Sequence, residues 1–160
     1  MPLSKLRKFL DSHHIKYLVI SHSRAYTAQG VAALAHVSGK QLAKTVIIKI
    51  DGMLAMVVVP ASLHVDMARL RKVTGALTVE LATEGEFKDT FPDCELGAMP
   101  PFGNLYDMRV YADVTLADFE EITFTAGTHR ELVRMNWGDM LRLVNPTVDD
   151  LAYHPSAAAA

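Results

Sequence analysis

Apolar residues along the chain follow two rhythms. Leu3, Leu6, Phe9 and Leu10 recur at helical spacing with Lys5, Arg7 and Lys8 between them, so a short amphipathic helix opens the chain. Tyr17-Leu18-Val19-Ile20-Ser21-His22 reads as a strand. Thr27 offers an N-cap for a helix through Val31, Leu34 and Ala35, ending near Ser38-Gly39. The strongest local signal comes next. Thr45 to Ile50 and Met53 to Val59 flank Asp51-Gly52, a pair that accepts the positive φ angles of a type I′ turn. They predict a β-hairpin stopped by Pro60.

Val65 to Val73 has the pattern of a helix terminated by Gly75, and Ala76 to Leu81 that of a short strand. Thr83 caps a helical turn, with Glu86 three residues on in the capping-box position. Leu105 to Ala112, Glu121 to Thr125 and His129 to Met135 are strand-like, and Trp137 to Val144 forms a last helix before Pro146. No repeat or linker interrupts the series. The mixture predicts a single α+β domain over residues 1–153, built on a mixed, mainly antiparallel, curved and barrel-like sheet flanked by helices. Residues 154–160 read as a disordered tail.

Composition narrows the class without naming the chemistry. Of 160 residues 50% are hydrophobic and 21% charged, the balance of a soluble globular domain with a real core. The longest apolar run, Met53 to Val59, is far short of the roughly 20 residues a membrane span needs, and Met1 to Lys5 carries no signal pattern. A lone cysteine, Cys94, rules out an internal disulfide framework and suits the cytoplasm. The net charge of −2 argues against DNA and leaves any RNA contact to a local basic patch, of which Arg69, Arg71 and Lys72 form the densest.

Two segments carry candidate chemistry. Lys44 enters the first hairpin strand on the face of Val46, Ile48 and Ile50, while Thr45, Ile47 and Lys49 point the other way. Its neighbours are apolar, so it either snorkels to water or stands as a positioned ammonium at a cleft mouth. The second segment is Gly97-Ala98-Met99-Pro100-Pro101-Phe102-Gly103. Two consecutive prolines remove backbone donors and leave carbonyls unspent, and the flanking glycines allow close approach of another molecule. Conventional catalytic sets are missing. Nothing brings Cys94 and His129 together, the histidines have no metal-ligand spacing, and no phosphate-binding glycine loop or nucleophile elbow is present. No metal or cofactor is expected.

At these residues the chain resembles the YbaK/ProX family of aminoacyl-tRNA deacylases, also found as an editing domain within bacterial prolyl-tRNA synthetases. The resemblance spans residues 15 to 145. It rests on His22 and Tyr26, on Lys44-Thr45-Val46, and on Gly97 to Pro101 followed by Phe102-Gly103. It implies a hydrolase acting on the ester at the 3′ end of a mischarged tRNA, with a cognate synthetase as a further candidate partner. Lys44 and Gly97 would be the functional core, and His22, Tyr26, Pro101, Phe102, Gly103 and His129 would line the substrate. Alanine-specific free-standing members tend to carry a His-Pro…Asn pattern where this chain has Gly127-Thr128-His129-Arg130-Glu131, so the acyl group stays open. Also open is a non-catalytic relative that binds a nucleotide, tRNA or protein in the same cleft.

Overall fold

In the computed structural model, which describes residues 3–21 and 41–153, the hairpin is the centre of the sheet. Strands β2 (Leu42–Ile50) and β3 (Met53–Pro60) pair from Ala43↔Pro60 to Ile50↔Met53. Asp51 (φ 49°) and Gly52 (φ 84°) make the turn in the left-handed region, as a type I′ connection requires. Pro60 stops the ladder, as expected, as its last paired residue. It closes it opposite Ala43, at a strand end where a missing N–H costs little.

Around this pair lie β1 (Tyr17–Ser21), β4 (His64–Val65), β5 (Val79–Leu81), β6 (Val110–Asp113), β7 (Glu121–Thr125), β8 (Glu131–Asn136), β9 (Thr147–Asp149) and β10 (Ala152–Tyr153). The helices are α1 (Ser4–Ser12), α2 (Met67–Thr74), α3 (Glu84–Phe87) and α4 (Trp137–Val144). The main sheet runs β1-β8-β7-β2-β3-β6-β9, with β5 beside β2. The pairs β1/β8, β7/β8, β2/β3 and β2/β5 are antiparallel, whereas β2/β7, β3/β6 and β6/β9 are parallel. The sheet is therefore mixed, as expected, but its order is open between β1 and β9 and does not close into a barrel. The helix expected from Thr27 and the tail 154–160 lie outside the described residues.

Local chemistry explains most boundaries. Asp66 caps α2 by accepting the Arg69 N–H at 3.1 Å, and Gly75 ends it at φ 69°. Thr83 and Glu86 form the expected capping box of α3. The strand expected from Leu105 is shorter, because the Gly103 carbonyl accepts from both Tyr106 N–H and Met108 N–H and curls the chain. β6 begins only at Val110. β9, β4 and β10 are too short to leave a period-2 signal.

The sheet separates two apolar clusters. One side takes Ala43, Ile47, Met56 and Val58 together with Leu6 and Leu10 of α1, Met99, Phe102 and Phe124. The other takes Ile48, Ala55, Val57 and Val59 with Leu70, Tyr111 and Leu151. Lys49 leaves the sheet to pair with Glu80 at 3.2 Å and with Glu86, fastening β5 and α3 to β2. Lys49, with the Thr83 N–H, holds the Glu86 carboxyl down at about 2.

Asp113, fully buried at the end of β6, anchors the C-terminal segment. One oxygen accepts Leu151 N–H at 2.8 Å and Ala152 N–H at 3.1 Å, and the other accepts Thr115 N–H and the Thr115 hydroxyl. Replacement by Asn turns one acceptor into a donor facing a donor. Asp113→Asn is expected to lower stability by about 3 kcal/mol, measured by denaturant unfolding, with β10 exchanging its amide protons first. Glu86 gives a pH test with a definite sign. Its depressed pKa means its contribution is complete above 4.5 and is lost as pH falls toward about 2. The Tm of wild type should exceed that of Glu86→Gln at neutral pH, and the gap should close across that window.

Candidate active site

The glycine–proline loop has an exposed tip on a buried root. Ala98 to Gly103 are all buried, and Phe102, with no exposed surface, packs its ring 6.1 Å from Phe9 and 5.6 Å from Phe124. At Gly103 a Cβ would lie 2.5 Å from the Met108 carbonyl oxygen, so only glycine fits there. Pro101, Phe102 and Gly103 thus hold the loop to the core. Glu95, Leu96 and Gly97 stand in solvent above them, with Gly97 at φ 82°.

A second loop, Ala126 to Arg130, fixes that tip. Glu95 N–H donates to the Gly127 carbonyl at 2.8 Å, and Gly127 N–H donates to the Ala98 carbonyl at 2.9 Å. The His129 N–H donates to Glu95 Oε1 at 2.9 Å, and its ring Nε2 lies 2.7 Å from the Leu96 carbonyl oxygen. A carbonyl only accepts, so Nε2 carries the proton and Nδ1 is the acceptor of the neutral ring. A Cβ on Gly97 would meet His129 Cε1 at 3.4 Å. His129 and Gly97, remote in sequence, are therefore neighbours. The amides of Leu96 and Gly97 donate to no described group.

Lys44 stands on the strand next to the one that feeds this second loop. β2 and β7 run parallel with Leu42↔Thr123 and Ala43↔Phe124, so the entry of β2 lies beside the exit of β7, three residues before Gly127. Lys44 faces Val59 across the hairpin and is half-buried, on the face of β2 that carries Val46 and Ile48. Burial lowers its pKa from the ordinary lysine value of 10.5. Among the described residues no carboxylate or hydrogen-bond acceptor engages its ammonium, and no bond joins it to Gly97 or His129. Met99 and Phe102 pack on the opposite side of β2, with Ala43 and Ile47.

Other candidates fall elsewhere. His22 and Tyr26 lie outside the described residues. Cys94 contacts the Tyr106 hydroxyl at 3.5 Å, not His129, and burial pushes its thiol pKa up, which makes it a poor nucleophile. Arg69 is held by Asp150 at 2.8 Å and Asp66 at 3.4 Å, which leaves Arg71 and Lys72 of that cluster without an ion-pair partner among the described residues. A cleft of about 390 Å³ lies at the turn end of the hairpin, lined by Asp51, Leu54, Asp107, Arg109 and Tyr111 and remote from Lys44 along the strand. Sequence reasoning passed over Glu95 and Gly127. Their only signal was a second glycine-containing turn, Gly127-Thr128-His129, closing a strand pair.

Comparison with known proteins bears on the family and the fold. A family model described as an aminoacyl-tRNA editing domain matches residues 22–143. The "Multifunctional Ser/Thr-tRNA deacylase ProXp-y" of Escherichia coli (strain K12) is 26% identical over 147 residues, covering 89% of this chain and 87% of that protein. A proline–tRNA ligase of Bacillus mycoides (strain KBAB4) is 31% identical over 87 residues, 54% of this chain and 15% of the ligase. Among solved structures, a candidate trans-editing enzyme for prolyl tRNA synthetase superposes with a TM-score of 0.80 at 22% identity, over 94% of this chain and 96% of that one.

The positive φ at Gly97 and its contact with His129 lead to one expectation about stability. Gly97→Ala should cost about 1–2 kcal/mol in urea unfolding through left-handed strain alone. Its spectroscopic signature should be a shift of the His129 ring resonances, with the core resonances unmoved.

Proposed function

This chain belongs to the aminoacyl-tRNA editing domain family, and we propose that it is a free-standing deacylase that hydrolyses the ester of a mischarged tRNA. The ester between an amino acid and the terminal ribose is already activated. Its hydrolysis needs a placed water, a stabilised tetrahedral oxyanion and a pocket that admits only small acyl groups. A synthetase separates amino acids differing by a methylene only about 10–200-fold, so a second hydrolytic sieve has a physical purpose.

In this reading the roles divide by chemistry. The Lys44 ammonium, partly desolvated and without an acceptor among the described residues, meets the terminal phosphate or the developing oxyanion. The free amides at Leu96 and Gly97 are donors for the acyl carbonyl or its oxyanion. His129 keeps the tip of the loop in place through Leu96, and its Nδ1 is left to accept from substrate. Pro101, Phe102 and Gly103 shape the floor beneath, and substrate contacts for His22 and Tyr26, which lie outside the described residues, follow from the family resemblance alone. The substrate's own 2′-hydroxyl helps orient the water.

The observation that carries the reading is the exposed Gly97 tip, clamped to Gly127 beyond β7 with its amides at Leu96 and Gly97 donating to no described group. A small acyl group such as alanine or cysteine on tRNA-Pro is the first substrate to try. Serine and threonine follow from the name of the Escherichia coli relative. A prolyl-tRNA synthetase is the synthetase partner to test.

The decisive assay is hydrolysis of tRNAs charged with alanine, cysteine, serine or threonine. Wild type should release at least one of them. Lys44→Ala should lower kcat about 10²–10³-fold, the loss typical of removing one oxyanion donor, with an unchanged melting curve. Silence of the wild type on the whole panel, or a full rate in Lys44→Ala, would remove this assignment.

A further inference from the structure

The solvent face of α1 lies beside the candidate site and has a charge opposite to that of the whole chain. Between residues 3 and 17, Lys5, Arg7, Lys8 and Lys16 are set against Asp11 alone, in a protein of net charge −2. Asp11 is itself engaged by the Tyr17 hydroxyl at 2.9 Å. Lys5, Lys8 and Lys16 are exposed and enter no ion pair with the described residues. Elsewhere Lys49 is paired with Glu80 and Glu86, Arg69 with Asp66 and Asp150, and Arg142 with Asp139 at 3.0 Å, whereas Arg71 and Lys72 of α2 have no carboxylate partner among the described residues. What sets Lys5 and Lys8 apart from the α2 pair is their place on the helix that packs against the loops of the candidate site.

Position makes the charge meaningful. α1 is docked on both loops of the site. Leu3 N–H donates to the Ala126 carbonyl at 2.8 Å, and a Cβ on Gly127 would sit 3.0 Å from that of Leu3. The Phe9 ring packs against Phe102 at the root of the Gly97 loop. Lys5 lies 4.7 Å from the centre of the Tyr106 ring and donates to the Leu105 carbonyl at 3.4 Å, just past that loop. A helix turn on, Lys8 is on the same exposed face as Lys5.

We infer that α1 is a docking surface for the phosphate backbone of the RNA acceptor end, with Lys5 and Lys8 as the phosphate contacts. The inference rests on the deacylase reading for the identity of the RNA, and adds to it the face from which the RNA approaches. A basic amphipathic helix can also lie on an anionic membrane, but that mode needs its apolar side free. Here Leu6 and Leu10 have no exposed surface, so only the charged side is available.

The test separates this surface from the chemistry. Binding of uncharged tRNA is followed against salt concentration for wild type, Lys8→Glu, the double variant Lys5→Gln/Lys8→Gln, and a control of equal charge change on α2, Arg71→Gln/Lys72→Gln. The double variant should weaken binding about tenfold at moderate salt and reduce the slope of log K on log salt by about 2. Lys8→Glu, a change at an exposed position that cannot disturb packing, should reduce the slope by about 1 or more. In deacylation the loss should fall on KM rather than kcat. Unchanged binding in both α1 variants, an equal loss in the α2 control, or binding of wild type to anionic phosphatidylserine vesicles in preference to tRNA would each overturn the inference. An inactive enzyme that still shows the α1-dependent tRNA slope would sink the deacylase reading and spare the surface.

Discussion

Two backbone hydrogen bonds organise the candidate site: Glu95 N–H to the Gly127 carbonyl and Gly127 N–H to the Ala98 carbonyl. Neither loop has regular structure of its own. Each satisfies the other's polar groups, as buried main chain must. Gly127 can do this because it tolerates φ 98° and leaves room for Leu3 at its back. Without that bridge, the exposed tip at Gly97 would be an ordinary mobile turn and His129 a surface histidine.

The bridge is placed by the sheet. Parallel pairing of β2 with β7 covers only Leu42↔Thr123 and Ala43↔Phe124, yet it decides which strand end lies beside the Gly127 loop. Beyond that point the strands part, and β2 pairs instead with β5 near its other end, from Ile48↔Leu81 to Ile50↔Val79. A strand that changes partner opens a gap on that edge, and Lys44 stands at its start. Among the described residues no counter-ion meets its ammonium, and the amides at Leu96 and Gly97 donate to no described group.

The same framework separates rigidity from availability. Phe102, Gly103 and Phe9 are locked in the first core cluster, and Lys49 and Asp113 tie β5, α3 and the C-terminal strand to the sheet. None of these offers chemistry to a ligand. What they provide is a fixed root from which short exposed segments project, and α1, packed on that root, brings its cations to the same rim.

Local elements were legible in the sequence wherever a short-range rule applies. The Asp51-Gly52 turn, the Gly75 end of α2, the Thr83–Glu86 box and the amphipathic α1 all depend on residues within a few positions of one another. Lys44 and Gly97 were also visible as candidates, through residue type and a family resemblance. Partners across the chain were not. The parallel pairing of β2 with β7, the open order of the sheet, the clamp of Glu95 and His129 on the Gly97 loop, and the four-bond grip of Asp113 join residues that no periodicity connects. Short exposed strands such as β9 leave no pattern, and a strand's register is set by what covers its faces. Sequence alone determined which segments fold and where the chemistry could reside. The tertiary structure decided which of them meet, because hydrogen bonds and packing between distant segments are settled only when the whole core closes.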